Sequence, residues 1–180
     1  MTRYFFAVAP PEPGPGPAEA PPEPGTRLLT LVSPLTGRVV PLEQVPDPVF
    51  SGRLAGDGVA VEPTDGTVVS PAAGKVILVF PGGHALGIMT PEGLELLVHV
   101  GIDTVDLHGD GFEMTVKEGD EVTAGQVLGR FDPERIRTLG KPLISPVLVT
   151  NVDAAAGIVV LCPSATVRAG EPLLGVRKKT

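Results

Sequence analysis

The most regular pattern in this 180-residue chain lies near its middle and reads Leu94-Glu95-Leu96-Leu97-Val98-His99-Val100-Gly101-Ile102. Successive side chains of a β-strand point to opposite faces, so a strand here has one wholly apolar face. That face comprises Leu94, Leu96, Val98, Val100 and Ile102, and the other carries Glu95, Leu97, His99 and Gly101. The pattern predicts a strand that buries one face and leaves an imidazole on the other. Gly101 leaves room beside that ring for the open approach that a nucleophile needs.

Short apolar runs of the same kind recur on both sides of this stretch. They are LLTLVS (28–33), GRVVPL (37–42), GVAVEP (58–63), TVVSP (67–71), KVILVF (75–80) and LISPVLVT (143–150). The chain also holds 23 Gly and 21 Pro, which favour tight turns between short strands. We therefore predict an all-β fold, an antiparallel sandwich or barrel, with one short helix over 133–139 capped by Asp132.

Two pairs of segments echo each other. SPLTGRVV (33–40) recurs as SPAAGKVI (70–77), and VKEGD (116–120) resembles VRAGE (167–171). Similar units within one chain predict a closed β structure with approximate internal symmetry.

The amino-terminal part differs in composition from the rest. Residues 10–25 read PPEPGPGPAEAPPEPG, in which proline removes backbone donors and no apolar periodicity remains. We predict a disordered tail over 1–26 and a single domain over 27–180. A proline-motif docking site for a partner is the alternative use of the tail.

Composition excludes several classes of function. The net charge of −7 argues against nucleic-acid binding and suits basic partners. The single cysteine, Cys162, cannot form an internal disulfide, which fits a reducing cytoplasm. No apolar run approaches the roughly 20 residues of a membrane span, and Met1 to Ala9 is too short for a signal peptide. The expectation is a cytoplasmic protein without direct membrane insertion.

The run 84–90 precedes the central stretch across a Pro91-Glu92 turn and is expected to pair with it. With Pro91-Glu92 as a two-residue loop, His84 faces His99 directly and both rings share one face, with Cβ atoms about 5 Å apart. With Gly93 included as a left-handed third loop residue, the register shifts by one and the rings point to opposite faces. Turn chemistry alone leaves both registers open.

Paired imidazoles have two plausible uses. In the first, His99 accepts a phosphoryl group while His84 donates a hydrogen bond to its oxygens. In the second, both are zinc ligands, although a zinc peptidase needs a third ligand and the chain has no HxH or HExxH motif. His108 lies in a Gly-rich turn without a partner in sequence, and we interpret it as a surface residue.

The segment GLELLVHVGIDTV (93–105) resembles the phosphorylation-site signature of the glucose-type IIA proteins of the bacterial sugar phosphotransferase system. The likeness covers about 29–177 and includes VPDPVF (45–50), GDGVAVEP (56–63), His84-Ala85, GDGF (109–112), PVLVTN (146–151) and VRAGEPL (167–173). It implies an antiparallel β-sandwich with adjacent histidines, and it therefore favours the same-face register.

The resemblance also implies a function. His99 would take phosphate from the histidine-containing phosphocarrier protein (HPr) and pass it to the cysteine of a IIB domain, whose membrane-bound IIC partner admits the sugar. His84 would orient the transferring group. An apolar ring with acidic flanks would bind the partners, and the matching positions are Val49, Phe50, Leu54, Phe80, Leu97 and Val105, with Asp47 and Asp103. The resemblance implies that the side chains of Phe50 and Leu97 face outward, whereas their apolar character alone would assign them to the core.

One position departs from the family pattern. Family members commonly carry Thr two residues before the first histidine, and this chain has Gly82. The bond that orients His84 would then be absent or come from backbone or water, and slower transfer is expected.

Three other readings stay open. The resemblance allows a regulatory protein that binds transporters or metabolic enzymes through the same face. It also allows a zinc ion bridging His84, His99 and a partner carboxylate, although no cofactor is required. A lipoyl or biotin carrier, suggested by 118–128, would need a lysine at a hairpin tip, and neither Lys75 nor Lys117 lies in the expected turn.

Overall fold

A computed structural model describes residues 27–162 and 165–179, so the tail predicted over 1–26 lies outside the described residues. The strands are β1 (Leu28–Val32), β2 (Gly37–Pro41), β3 (Asp57–Pro63), β4 (Thr67–Val69), β5 (Gly74–Val79), β6 (Ala85–Met89), β7 (Glu95–His99), β8 (Phe112–Met114), β9 (Glu121–Val122), β10 (Val127–Phe131), β11 (Ser145–Val149), β12 (Ala155–Val160), β13 (Thr166–Val167) and β14 (Pro172–Lys178). Two short α-helices, α1 (Pro48–Ser51) and α2 (Pro133–Thr138), and the 3₁₀ turns Leu42–Gln44, Thr104–Leu107 and Val152–Ala154 complete the described elements.

The strands form three sheets, and every pairing between described strands is antiparallel. An eight-stranded sheet has the order β13-β2-β3-β11-β7-β6-β5-β9, and two three-stranded sheets have the orders β1-β14-β12 and β4-β10-β8. The predicted all-β class is confirmed. The predicted helix is confirmed as α2, where the Asp132 side chain accepts a hydrogen bond from the Arg135 amide. Among the described helices, none is long and apolar enough to span a membrane.

The main core contains residues from all three sheets. The predicted inner face of the central stretch is confirmed, since Leu94, Leu96, Val98, Val100 and Ile102 are each at most 3% exposed. Ile102, however, belongs to a second, smaller apolar cluster. That cluster also comprises Val40, Leu42, Val45, Phe50, Ala60, Ile144 and Leu148, with Leu97 and Ala55 packed against it. It arises because the segment 42–55 covers the other face of the sheet at β3, β11 and β7.

The predicted internal symmetry is confirmed around the first echo. Ser33 and Ser70 are both fully buried, and each hydroxyl donates to the carbonyl two residues ahead, at 2.6 and 2.7 Å. The two copies also bond each other reciprocally, Val32 N to Pro71 O and Val69 N to Pro34 O, both at 2.9 Å. An approximate twofold axis between β7 and β11 explains the mirrored strand order of the large sheet.

The second echo forms equivalent turns but has a different symmetry mate. In VRAGE the Gly170 amide donates to Ser33 O at 2.9 Å, and the matching bond runs from Gly125 to Ser70 O at 2.8 Å. The mate of VRAGE (167–171) is therefore VTAGQ (122–126), whereas VKEGD (116–120) is a further turn of the same kind.

Candidate functional site: the paired imidazoles

The structure brings His84 and His99 together. Their ring centroids are 5.2 Å apart with an interplanar angle of 73°. Each ring also meets a phenyl ring, Phe50 at 5.1 Å from His99 and Phe80 at 5.4 Å from His84. The adjacency implied by the resemblance is confirmed, and the pair lies within an aromatic environment.

The hairpin register that brings them together is not the one that the resemblance favoured. Ala85, not His84, pairs with His99, and Gly93 has φ +86°, so Pro91-Glu92-Gly93 is a three-residue loop. The rings still meet because β6 begins only at Ala85 and the regular alternation of strand faces does not extend to His84. The His84 carbonyl nevertheless accepts a hydrogen bond from Val100 N at 2.8 Å, which ties its backbone to the end of β7.

His99 is held by a backbone acceptor. Its Nδ1 lies 2.7 Å from the Gly101 carbonyl oxygen. A carbonyl can only accept, so Nδ1 carries the proton of the neutral ring. Nε2 then keeps its lone pair, which is the atom and the state that a nucleophilic imidazole requires.

Both rings are kept neutral near pH 7. Burial lowers the pKa of His99 below its ordinary 6.5, although the Gly101 carbonyl and the charges of Asp47 and Asp103 act in the opposite direction. Burial also lowers the pKa of His84, and the proximity of His99 lowers it further, against a hydrogen bond to the Pro81 carbonyl. Desolvation disfavours the charged form of an imidazole, and a neighbouring cation does the same.

His84 is more enclosed than a surface residue, with only 4% of its area exposed. His84 therefore does not stand on an exposed surface. The backbone acceptor that acts on its ring is the Pro81 carbonyl. Gly82 has φ +93°, and a Cβ there would lie 2.8 Å from Gly109 N. A threonine does not fit at this position because the 107–111 segment packs directly against the Gly82 backbone.

The apolar residues assigned to the partner-binding ring divide into exposed and buried sets. Four are exposed, namely Val49 (45%), Leu54 (78%), Phe80 (36%) and Val105 (54%), and Leu97 is half-buried. Phe50 is only 7% exposed, because it packs in the second apolar cluster and against the His99 ring. The expectation that Phe50 turns outward is wrong, and its contact is with the histidine.

The two acidic residues of the ring have structural roles as well as charge. The Asp47 side chain caps α1 by accepting from Val49 N at 2.8 Å, which orders the turn that presents Val49. Asp103 has φ +56° and begins the 3₁₀ turn Thr104–Leu107, which presents Val105. Both carboxylates act on His99 electrostatically, as noted above.

Three polar groups next to the pair were not predicted. The Gly101 carbonyl bonds His99, Ser145 Oγ accepts from Gly101 N at 3.0 Å, and Thr104 Oγ1 donates to Val100 O at 2.6 Å. The sequence offered no signal for Ser145, which lies far along the chain in an apolar run.

His108 is exposed at the end of the turn Thr104–Leu107, as interpreted from the sequence. Within 27–162 and 165–179, no group of three His, Cys, Asp or Glu residues is arranged to hold a metal ion.

Comparison with known proteins identifies the family. The model described as "phosphoenolpyruvate-dependent sugar phosphotransferase system, EIIA 1" matches residues 29–155. The PTS system glucose-specific EIIA component of Bacillus cereus (strain ATCC 14579) is 51% identical over 133 residues, which cover 74% of this chain and 81% of the relative. The protein of the same name from Staphylococcus aureus (strain COL) is 46% identical over 148 residues, covering 82% and 89%.

A solved structure agrees with these relatives. Glucose permease IIA from Mycoplasma capricolum superimposes with a TM-score of 0.76 at 34% identity, covering 83% of this chain and 96% of that one. The chain is a β-sandwich of the phosphotransfer class, and it belongs to the EIIA 1 family of the phosphoenolpyruvate-dependent sugar phosphotransferase system. Components of this family transfer phosphoryl groups in sugar uptake, together with HPr and a IIB permease domain.

Proposed function

We propose that this protein carries a phosphoryl group on Nε2 of His99, between phosphorylated HPr and the cysteine of a IIB domain. The first step forms an N–P bond at Nε2 as the N–P bond of the donor histidine breaks. The second forms a P–S bond on the IIB thiolate and returns the lone pair to Nε2. The observation that carries the proposal is the 2.7 Å bond from His99 Nδ1 to the Gly101 carbonyl, which leaves Nε2 unprotonated.

His84 stabilises the group being transferred. The Pro81 carbonyl acts on its ring as an acceptor, and we infer that the nitrogen on that side carries the proton of the neutral form. The other nitrogen can donate to phosphoryl oxygens only in the imidazolium form. A phosphoryl group beside the ring brings negative charge, which favours that form. His84 thus becomes protonated as His99 is phosphorylated.

The exposed ring residues exclude water during docking. The exposed side chains of Val49, Leu54, Phe80 and Val105 would supply the apolar docking surface, and Phe80 lies against the His84 ring. A dry contact protects the N–P bond from hydrolysis. Asp47 and Asp103 add negative charge, which steers and selects partners with basic surfaces. The same partners imply a cytoplasmic location.

No metal is needed for these steps, because the imidazole lone pair is itself the nucleophile. A zinc ion bound by His84 and His99 would need its further ligands from a partner, since the described residues supply no third one.

The exposed apolar ring also supports a second role, in binding and restraining transporters or metabolic enzymes. Phosphorylation at its centre adds about two negative charges, which would weaken an apolar contact there. The two roles share one surface and exclude each other in time.

Phosphate transfer from labelled phosphoenolpyruvate through enzyme I and HPr tests the proposal. We expect wild type and His84→Gln to take up acid-labile label, His99→Gln to take up none, and His84→Gln to pass label slowly to a IIB domain. His108→Gln, which changes an exposed histidine, is the matched control and should behave as wild type. Absence of label on the wild type, or label on His99→Gln, would overturn the assignment.

A further inference from the structure

The Gly101 carbonyl that orients His99 stands at a point where the chain leaves the sheet. β7 ends at His99, and Gly101 has φ +74°, a conformation outside the strand region. Glycine tolerates many backbone conformations, so this residue would be a natural hinge. Other groups must therefore hold the carbonyl in the position that bonds Nδ1.

The peptide group after Gly101 has one backbone restraint besides His99. Ile102 N donates to Pro142 O at 3.0 Å. The peptide group before Gly101 has two side-chain restraints, Thr104 Oγ1 to Val100 O at 2.6 Å and Gly101 N to Ser145 Oγ at 3.0 Å. Both peptide groups must be held for the φ and ψ of Gly101, and hence the direction of its carbonyl, to be fixed.

Ser145 is a specific restraint because its hydroxyl has a defined orientation. It is fully buried at the first residue of β11, and its Oγ donates to Leu143 O at 2.6 Å. With the hydroxyl proton committed to Leu143, a lone pair faces Gly101 N. The bond joins segments 44 residues apart, whereas the buried hydroxyls of Ser33 and Ser70 bond carbonyls within their own turns.

We propose that Ser145 is a positioning residue for the phosphoryl transfer: its hydroxyl holds the Gly101 backbone, so that the Gly101 carbonyl keeps the His99 proton on Nδ1 and the lone pair on Nε2. The inference rests on the proposed function, because it assigns Nε2 as the accepting atom. Ser145 touches neither the phosphoryl group nor the ring, and it acts through Gly101.

The test compares Ser145→Ala with Ser70→Ala by ¹⁵N NMR of the imidazole rings and by the rate of phosphoryl acceptance from HPr. Both substitutions remove a fully buried serine hydroxyl, but only Ser145 bonds Gly101. We expect Ser145→Ala to give a mixture of His99 tautomers and acceptance slower by about tenfold, the kinetic equivalent of one hydrogen bond. Ser70→Ala should keep the wild-type tautomer and rate, and Ser145→Thr, which retains a hydroxyl, should restore both.

A wild-type His99 tautomer in Ser145→Ala, or equal changes in Ser70→Ala, would overturn the inference. If Ser145→Ala does not fold, Ser145→Cys tests the same inference. A thiol is a weaker hydrogen-bond acceptor than a hydroxyl, so we expect a His99 tautomer ratio between those of the wild type and a complete loss of the bond. The NMR comparison needs no phosphoryl donor. A tautomer change in Ser145→Ala, together with a wild type that takes no label, would therefore refute the proposed function while showing that Ser145 sets the His99 tautomer.

Discussion

At the scale of single residues, the chemistry of the site depends on removing charge from two imidazoles and then directing the one remaining proton on each ring. Burial does the first for both rings. The Gly101 carbonyl does the second for His99 through a hydrogen bond, and the Pro81 carbonyl is the acceptor that acts on His84. Backbone acceptors are independent of side-chain identity. Gly82 has no side chain that could bond His84, and the Pro81 carbonyl is the backbone acceptor that acts on this ring.

The lowered pKa of His99 predicts the pH dependence of phosphoryl acceptance. A protonated ring has no lone pair on Nε2, so protonation of His99 should slow acceptance only below the ordinary imidazole value of 6.5. Single-turnover acceptance from phosphorylated HPr, measured between pH 5 and 8 with the donor's own titration as the control, checks this. A midpoint above 6.5 would show that the carboxylates Asp47 and Asp103 outweigh burial.

Residue patterns predicted the inner face of β7 and the identity of both histidines, but not the groups that orient them. Gly101 acts through its carbonyl, which every residue has, and Ser145 acts across 44 positions of sequence. Phe50 was identified from the sequence, but the direction of its side chain was wrong. The resemblance moved it outward, whereas the second apolar cluster buries it, because this sheet is covered on both faces where α1 packs.

At the scale of elements, the β6–β7 hairpin illustrates how a correct contact can come from an incorrect register. Strand alternation predicts that a one-residue shift separates two side chains, and that holds only while both residues belong to strands. His84 lies just before β6, after two glycines with φ of +93° and +82°, so the rule does not apply to it. Sequence patterns identify strand interiors well, but strand ends depend on turns that the pattern does not encode.

The three-residue loop predicts a specific cost for Gly93→Ala. Gly93 has φ +86°, and a Cβ there meets nothing within 4 Å, so the substitution introduces backbone strain without a steric clash. We expect the free energy of unfolding to fall by about 1 kcal/mol, and by less for Gly93→Asn, since asparagine tolerates this conformation. Urea unfolding measures both.

Gly157→Ala is the control for that measurement. Gly157 also has open space for a Cβ, but its φ lies outside the left-handed region, so its substitution should leave stability unchanged or slightly higher. A two-residue loop at Pro91-Glu92 would make Gly93→Ala as mild as the control, and that result would contradict the register.

At the scale of the whole molecule, an approximate twofold axis arranges the strands while the chemistry occupies one half. The first echo revealed the symmetry in sequence because Ser, Pro and Gly are each needed at fixed places in the turn. At Gly37 and Gly74, for example, an added Cβ would clash with the carbonyl oxygens of Glu62 and Met89, respectively. Of the strands from β8 onward, only β11 was predicted; β8, β9 and β13 span two or three residues, which is too short for an alternating pattern to show.

The symmetry predicts matching costs for Ser33→Ala and Ser70→Ala. Each removes a fully buried hydroxyl bonded to the carbonyl two residues ahead, so each should lower the free energy of unfolding by a similar amount, about 1–3 kcal/mol. Denaturant unfolding of the two variants, with the exposed Thr123→Ala as a control that should stay near wild type, measures this. Costs that differ by more than about 1 kcal/mol would show that the two halves are not energetically equivalent.

The pairing of β1 with β14 joins the first and last described strands, with Leu28 opposite Arg177. Strands that are already hydrogen-bonded neighbours need only a short connection to join them, and closing a short gap costs little entropy. The described domain, from β1 to β14, is thus topologically close to a ring. A circular permutant that joins β14 to β1 and begins at an exposed turn such as 118–119 would keep both histidines within one uninterrupted hairpin.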